Sequence, residues 1–113
     1  MILIEKVVRD YLNETLEYPT YTQEPHNNEP RYYLIQKVGS SRDNKIDSSM
    51  IVVESHAQSR YDAAVLNYDM IEAMDDIIRL DSIGSCKKNS DYDYTDTSKK
   101  VYRYRALFEI VHY

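Results

Sequence analysis

Three histidines, one cysteine and a few closely spaced acids are the side chains of this chain that could do chemistry. His26, His56 and His112 lie far apart, and none forms a His-x-x-x-His pair or any other pair at ligand spacing. A shared metal would need three distant segments to converge. Asp91, Asp93 and Asp96 begin like a calcium-binding loop, but no glycine stands at its sixth position and no glutamate at its twelfth. The stretch reads as a solvated acidic loop. Only Gly39 and Gly84 are present, so a nucleophile elbow, a phosphate loop and a dinucleotide fingerprint are all absent. Cys86 stands alone with no histidine near it in sequence, a poor signal for a cysteine nucleophile.

Metal-dependent DNA cleavage is a further option, because a helix, three strands and a helix also begin the restriction-endonuclease-like nuclease core. That chemistry needs carboxylates to hold Mg²⁺ and a lysine to position the attacking water. Strand Arg31–Val38 contains Leu34-Ile35-Gln36-Lys37, with no acid two residues before Lys37. Two residues after Glu54 stands His56, not a lysine. The expectation is a protein that is not an enzyme and has no catalytic, metal or cofactor-binding residues.

The totals point the same way. At 113 residues the chain supports one domain, 1–113, with no room for a second core. Hydrophobic content of 42% and charge of 29% suit a soluble globular protein. The net charge of −5 argues against a dedicated nucleic-acid binder. That charge is uneven: residues 99–113 carry +3 and the remainder −8. One cysteine excludes an internal disulfide and fits a reducing compartment. No stretch approaches a membrane span, and the first residues lack the pattern of a signal peptide, so the expected compartment is a cytoplasm. Twelve tyrosines against one phenylalanine and no tryptophan suit half-buried sheet positions, or contacts with other proteins.

The elements that must position these side chains follow from periodicity. Ile4, Val7, Val8, Tyr11, Leu12 and Leu16 form one stripe of a helix over residues 2–17, stopped by Pro19. A short strand at Tyr21–Glu24 and a loop bracketed by Pro25 and Pro30 come next. Strand Arg31–Val38, a polar loop Gly39–Lys45 and a central strand Ser49–Ser55 follow. Ser59-Arg60-Tyr61-Asp62 has the form of a capping box. It opens a helix to about Arg79, whose buried stripe runs from Ala63 and Leu66 to Ile77 and Ile78. A strand is expected over Leu80–Ser85, then a polar stretch Cys86–Ser98 that is a loop or the exposed end of a strand. Val101–Tyr113 alternates as a strand, with Tyr102, Tyr104, Ala106, Phe108 and Ile110 on one face and Arg103 and Arg105 on the other. The fold class is therefore α+β: a single antiparallel or mixed β-sheet with two helices on one face, in the order α-β-β-β-α-β-β.

This arrangement resembles the tail terminator (tail completion) proteins of long-tailed bacteriophages. The resemblance is carried by the helix Ile4–Leu16 with its turn Glu17-Tyr18-Pro19, and by the strand Pro30-Arg31-Tyr32-Tyr33-Leu34-Ile35 ending at Gly39. It continues through Met50-Ile51-Val52-Val53-Glu54 and Ser55-His56-Ala57-Gln58-Ser59 into the helix from Arg60. The Asp/Thr-rich Asp93-Tyr94-Thr95-Asp96-Thr97 then leads to Val101-Tyr102-Arg103-Tyr104-Arg105. It implies a homo-oligomeric, hexameric ring in the virion tail, assembled in the host cytoplasm. Such a ring caps the tail tube, ends tube polymerisation and offers a surface to the head connector. The implied partners are further copies of the chain, the tail tube protein and the head completion protein, with DNA passing through without specific binding and no membrane contact. Another head–tail joining or minor tail protein of related fold is the first alternative, and a degenerate nuclease domain the second. The interface residues expected from loops and from the last strand are Arg42, Asp43, Lys45, Asp91, Asp93, Asp96, Arg103 and Arg105.

Overall fold

The computed structural model describes residues 3–26 and 28–113. Its elements are α1 (Ile4–Thr15), β1 (Thr20–Tyr21), β2 (Tyr32–Asp43), β3 (Ile46–Ala57), α2 (Arg60–Asp75), a 3₁₀ turn (Ile77–Arg79), β4 (Ile83–Asp93) and β5 (Tyr102–His112). The five strands form one sheet in the order β1-β2-β3-β5-β4. β1 runs parallel to β2 and every other pair is antiparallel, so the sheet is mixed. The class and element order are those the sequence predicts.

Both helices lie on one face. Ile4, Val8, Tyr11 and Leu12 of α1 and Leu66, Met70 and Met74 of α2 share one core with Tyr33, Ile35, Ile51, Val53, Ala106, Phe108 and Ile110. The strand residues in that set sit two apart, as a period of two requires for one face. Two tyrosines pin α2 by its backbone: the Tyr11 hydroxyl donates to the Ala73 carbonyl at 2.6 Å and the Tyr33 hydroxyl to the Leu66 carbonyl at 3.2 Å. Ser59 caps α2 by accepting from the Asp62 N–H at 3.1 Å. The Asp62 carboxylate does not reach back as a full capping box would, and pairs instead with Arg31 at 3.4 Å.

Several boundaries differ from the sequence reading. Gly39–Lys45 is not a loop: β2 continues to Asp43, and Asn44 and Lys45 form a two-residue turn with φ of 51° and 65°. Positive φ at both positions is the turn that matches strand twist. The reading failed there because β2 is exposed at every position from Gln36 to Asp43 and shows no alternation. β4 likewise runs to Asp93, whereas Leu80–Ser82 are turn and not strand. β1 is shorter than Tyr21–Glu24 and begins one residue earlier. The helix ends at Asp75, and the tighter 3₁₀ winding carries Ile78 out to 53% exposure while Ile77 stays buried.

Phe108 is the large aromatic at the centre of this core. Phe108→Ala should cost about 3–5 kcal/mol of folding stability through the cavity it leaves. Ser59→Ala should cost about 1 kcal/mol through the lost cap. Urea denaturation of both variants measures this, and a larger loss for Ser59→Ala would contradict the assignment of the core.

Candidate functional site

The face of the sheet opposite the helices has no helix packed on it among the described residues. Strand register sets its rows: Tyr32, His56 and Arg103 lie side by side, and Leu34, Glu54, Arg105 and Tyr92 form the next row. Antiparallel neighbours share a face, so residues far apart in sequence are brought together here.

Glu54 is the hub. Its Oε1 lies 2.9 Å from His56 Nε2, and its Oε2 lies 3.9 Å from Arg105 Nε. The second distance is an ion pair and too long for a hydrogen bond, and Arg105 Nε is buried without a hydrogen-bond partner. Burial pushes the Glu54 carboxyl up. The hydrogen bond with His56 and the charges of His56, Arg103 and Arg105 more than offset that, so it sits below the ordinary carboxylate value. His56 is in turn stacked on Tyr32, with ring centroids 4.5 Å apart and planes 12° from parallel. Tyr21 meets Tyr32 edge-on at 6.0 Å.

A second aromatic centre adjoins the first. The Arg103 and Arg105 guanidinium carbons lie 4.6 and 4.9 Å from the centroid of the Tyr94 ring, within cation–π range. Arg103 Nε also donates to the Tyr94 carbonyl at 2.9 Å. Tyr92 packs edge-on against Tyr94 at 6.0 Å. The result is a carboxylate fixing a histidine and an arginine, bordered by tyrosine rings, spread over four strands. As chemistry it holds charge and aromatic surface in fixed positions. Among the described residues, no serine hydroxyl or cysteine thiol is hydrogen-bonded to the His56 ring.

The eight expected interface residues do not gather at one place. Arg103 and Arg105 are on this face. Arg42 forms two hydrogen bonds to Asp47, at 2.7 and 3.1 Å, on the β2–β3 arm. Asp43 and Lys45 are at its tip. Asp91 pairs with Lys88 and Asp93 with Arg60 at 2.9 Å, both in or beside β4, not in a loop. Asp96 does sit in a turn, where it accepts from the Ser98 and Lys99 N–H groups at 3.1 and 3.3 Å. Among the described residues, no group of three His, Cys, Asp or Glu side chains comes together in a way that could hold a metal ion. Sequence reasoning missed Tyr32, Tyr92 and Tyr94. Their only signal is the excess of tyrosine, because the pairing that aligns β4 with β5 is non-local.

Burial shifts two further groups, Cys86 and His112. Burial pushes the Cys86 thiol up to about 11, which leaves it protonated and a weak nucleophile at neutral pH. Ser49 Oγ lies 2.9 Å from His112 Nε2 on the helix-covered face, and burial lowers the pKa of His112. No helix among the described residues is long and apolar enough to cross a membrane. No protein-family model matches the chain, and no curated protein matches it.

The depressed Glu54 carboxyl has a pH consequence with a definite sign. A carboxyl lowered in the folded state adds stability that is fully present above its unfolded value and is lost as pH falls through the folded one. Acidification below about pH 4.5, the ordinary value for glutamate, should therefore destabilise the parent more than Glu54→Gln. Urea midpoints at neutral pH and below pH 4 measure the difference. Equal acid losses in the two proteins would show that the carboxylate is not stabilised by its neighbours.

Proposed function

We infer that this chain is a structural assembly protein of the tail-terminator kind, forming a homo-oligomeric ring that caps the tail tube of a long-tailed bacteriophage. The observation that carries the reading is the sheet face left without helix cover, where Arg103, Arg105, Tyr92 and Tyr94 are presented together. Arginine and tyrosine are the residue types that anchor protein contacts, because they bury large area and still satisfy polar groups. The element order supports the same reading, as does the resemblance carried by the chain from Ile4 to Arg105. In this reading the ring ends tube polymerisation, offers the head completion protein a surface, and lets DNA pass without specific binding. Its place is the virion tail, reached by assembly in the host cytoplasm. The net charge of −5 suits a channel that must not retain phosphate.

Because Arg105 sits against Glu54, replacing it with an acid would place two carboxylates in a half-buried site and confuse folding with assembly. Arg103 and Tyr94 are the cleaner probes. Native mass spectrometry and negative-stain imaging of the parent, alone and with tail tubes, should show closed rings. Arg103→Glu combined with Tyr94→Ala should keep the circular dichroism spectrum and raise the concentration needed for assembly at least roughly tenfold. A parent that stays monomeric at high concentration with tube ends present would sink the proposal. Rings that persist unchanged in the double variant would move the interface elsewhere.

A further inference from the structure

A separate feature lies at the opposite edge of the sheet. β1 is two residues long, and its pairing with β2 ends with Tyr21 opposite Leu34. Beyond that point, among the described residues, β2 has no strand on its outer side. The Tyr33 N–H donates to the Pro19 carbonyl at 2.9 Å, so it points toward β1. Strand residues two and four further on, Ile35 and Lys37, present their backbone groups the same way. The pairing of Tyr21 with Leu34 uses the Ile35 N–H, which leaves the Ile35 carbonyl and both Lys37 groups facing outward.

They face a trench. Cavities of about 610 and 420 Å³ share Leu3, Glu5 and Lys37 in their walls, and so form one depression between the start of α1 and the edge of β2. Its first part follows the edge of β2 from Ile35 to Lys37, and its second part turns across the helix-covered face, over Ser40–Arg42 of β2, Asp47 and Ser49 of β3 and His112 of β5. Its first part carries Lys6, Arg9 and Lys37 against Glu5. Lys6 and Arg9 share one carboxylate, Asp10, and Lys37 has no ion-pair partner among the described residues. This leaves an excess of positive charge on a chain that is acidic as a whole. In the second part His112 is 4% exposed, and among the described residues neither its Nδ1 nor the buried Glu5 Oε1 has a hydrogen-bond partner.

We propose that this trench takes an extended, acidic peptide segment of another protein as an added strand on the edge of β2. Strand addition supplies the backbone hydrogen bonds that Ile35 and Lys37 lack, and alternate side chains of the peptide point into the trench. Carboxylates meet Lys37 and the Lys6–Arg9 pair. The bulge between Lys37 and Gly39 limits the regular ladder to its near end, beside Ile35 and Lys37. The proposal is independent of ring formation, which concerns the other face of the sheet.

The test uses the full chain, ¹⁵N-labelled, and an acetylated, amidated peptide of alternating Asp and Val. Saturable shifts are expected at the amides of Glu5, Ile35, Gln36 and Lys37. Lys37→Glu, at an exposed position, should weaken binding roughly tenfold or more, with Lys37→Gln in between. The same peptide with Lys for Asp, or with alternate backbone nitrogens methylated, should not bind. Equal binding by either control peptide would overturn the proposal. So would the absence of saturation at millimolar peptide, shifts confined to Tyr92 and Tyr94, or concentration-dependent shifts at Ile35 and Lys37 without peptide, which would make the occupant a second copy.

Discussion

The rest of the molecule depends on β3 being paired on both sides along nearly its whole length. Its register with β2 runs from Ile46 to His56 and its register with β5 from Asp47 to Ala57. Every residue from Asp47 to His56 thus has a neighbour to left and right, which is why Ile51, Val52 and Val53 are all buried although they alternate between faces. Val52, on the helix-free face, stands between Gln36 and Leu107 in the register. Once β3 is fixed, one face can only receive the helices and the other can only assemble the Glu54 network. Both follow from a single strand whose two sides differ by a period of two.

The network on the helix-free face shows how a sheet brings chemistry-bearing groups together that a sequence keeps apart. Glu54 and His56 are separated by one residue, so their pairing was open to inspection; the Mg²⁺ pattern that would have used Glu54 lacks its lysine because His56 occupies that place. Arg105 and Tyr94 join them only through the registers of β3 with β5 and of β5 with β4. A half-buried carboxylate contacting a histidine and an arginine locks their side chains, and a locked surface loses little entropy when something docks on it.

The helical stripes, the Ser59 cap and the alternation of the last strand were legible because each is a local pattern with one buried face. Phe108 and Ile110 fell on the core side and Arg103 and Arg105 on the other, as the period demands. The extensions of β2 to Asp43 and of β4 to Asp93 were not legible, because a strand wet on both faces carries no alternation to read. Composition marked Gly39–Lys45 as a loop and left Cys86–Ser98 open between a loop and the exposed end of a strand; cross-strand pairing makes both strands as far as Asp43 and Asp93. The trench was hidden for a different reason: it exists because β1 stops after two residues, and chain direction after Tyr21 is not encoded in any local period. The three tyrosines of the helix-free face were visible only as a count.

Beyond Ile35, β2 draws its order from backbone bonds to β3 and a tight turn, with its own residues exposed up to Asp43. Hydrogen bonds of that kind can open without breaching the core, so this end of β2 is less stable than β3, which β5 holds from the other side. Folding free energy is therefore graded along one strand: Ile35 is secured with the whole domain, whereas Ser41 is secured only by its ladder. A single strand of continuous geometry spans two thermodynamic regimes, and the boundary falls at the bulge between Lys37 and Gly39.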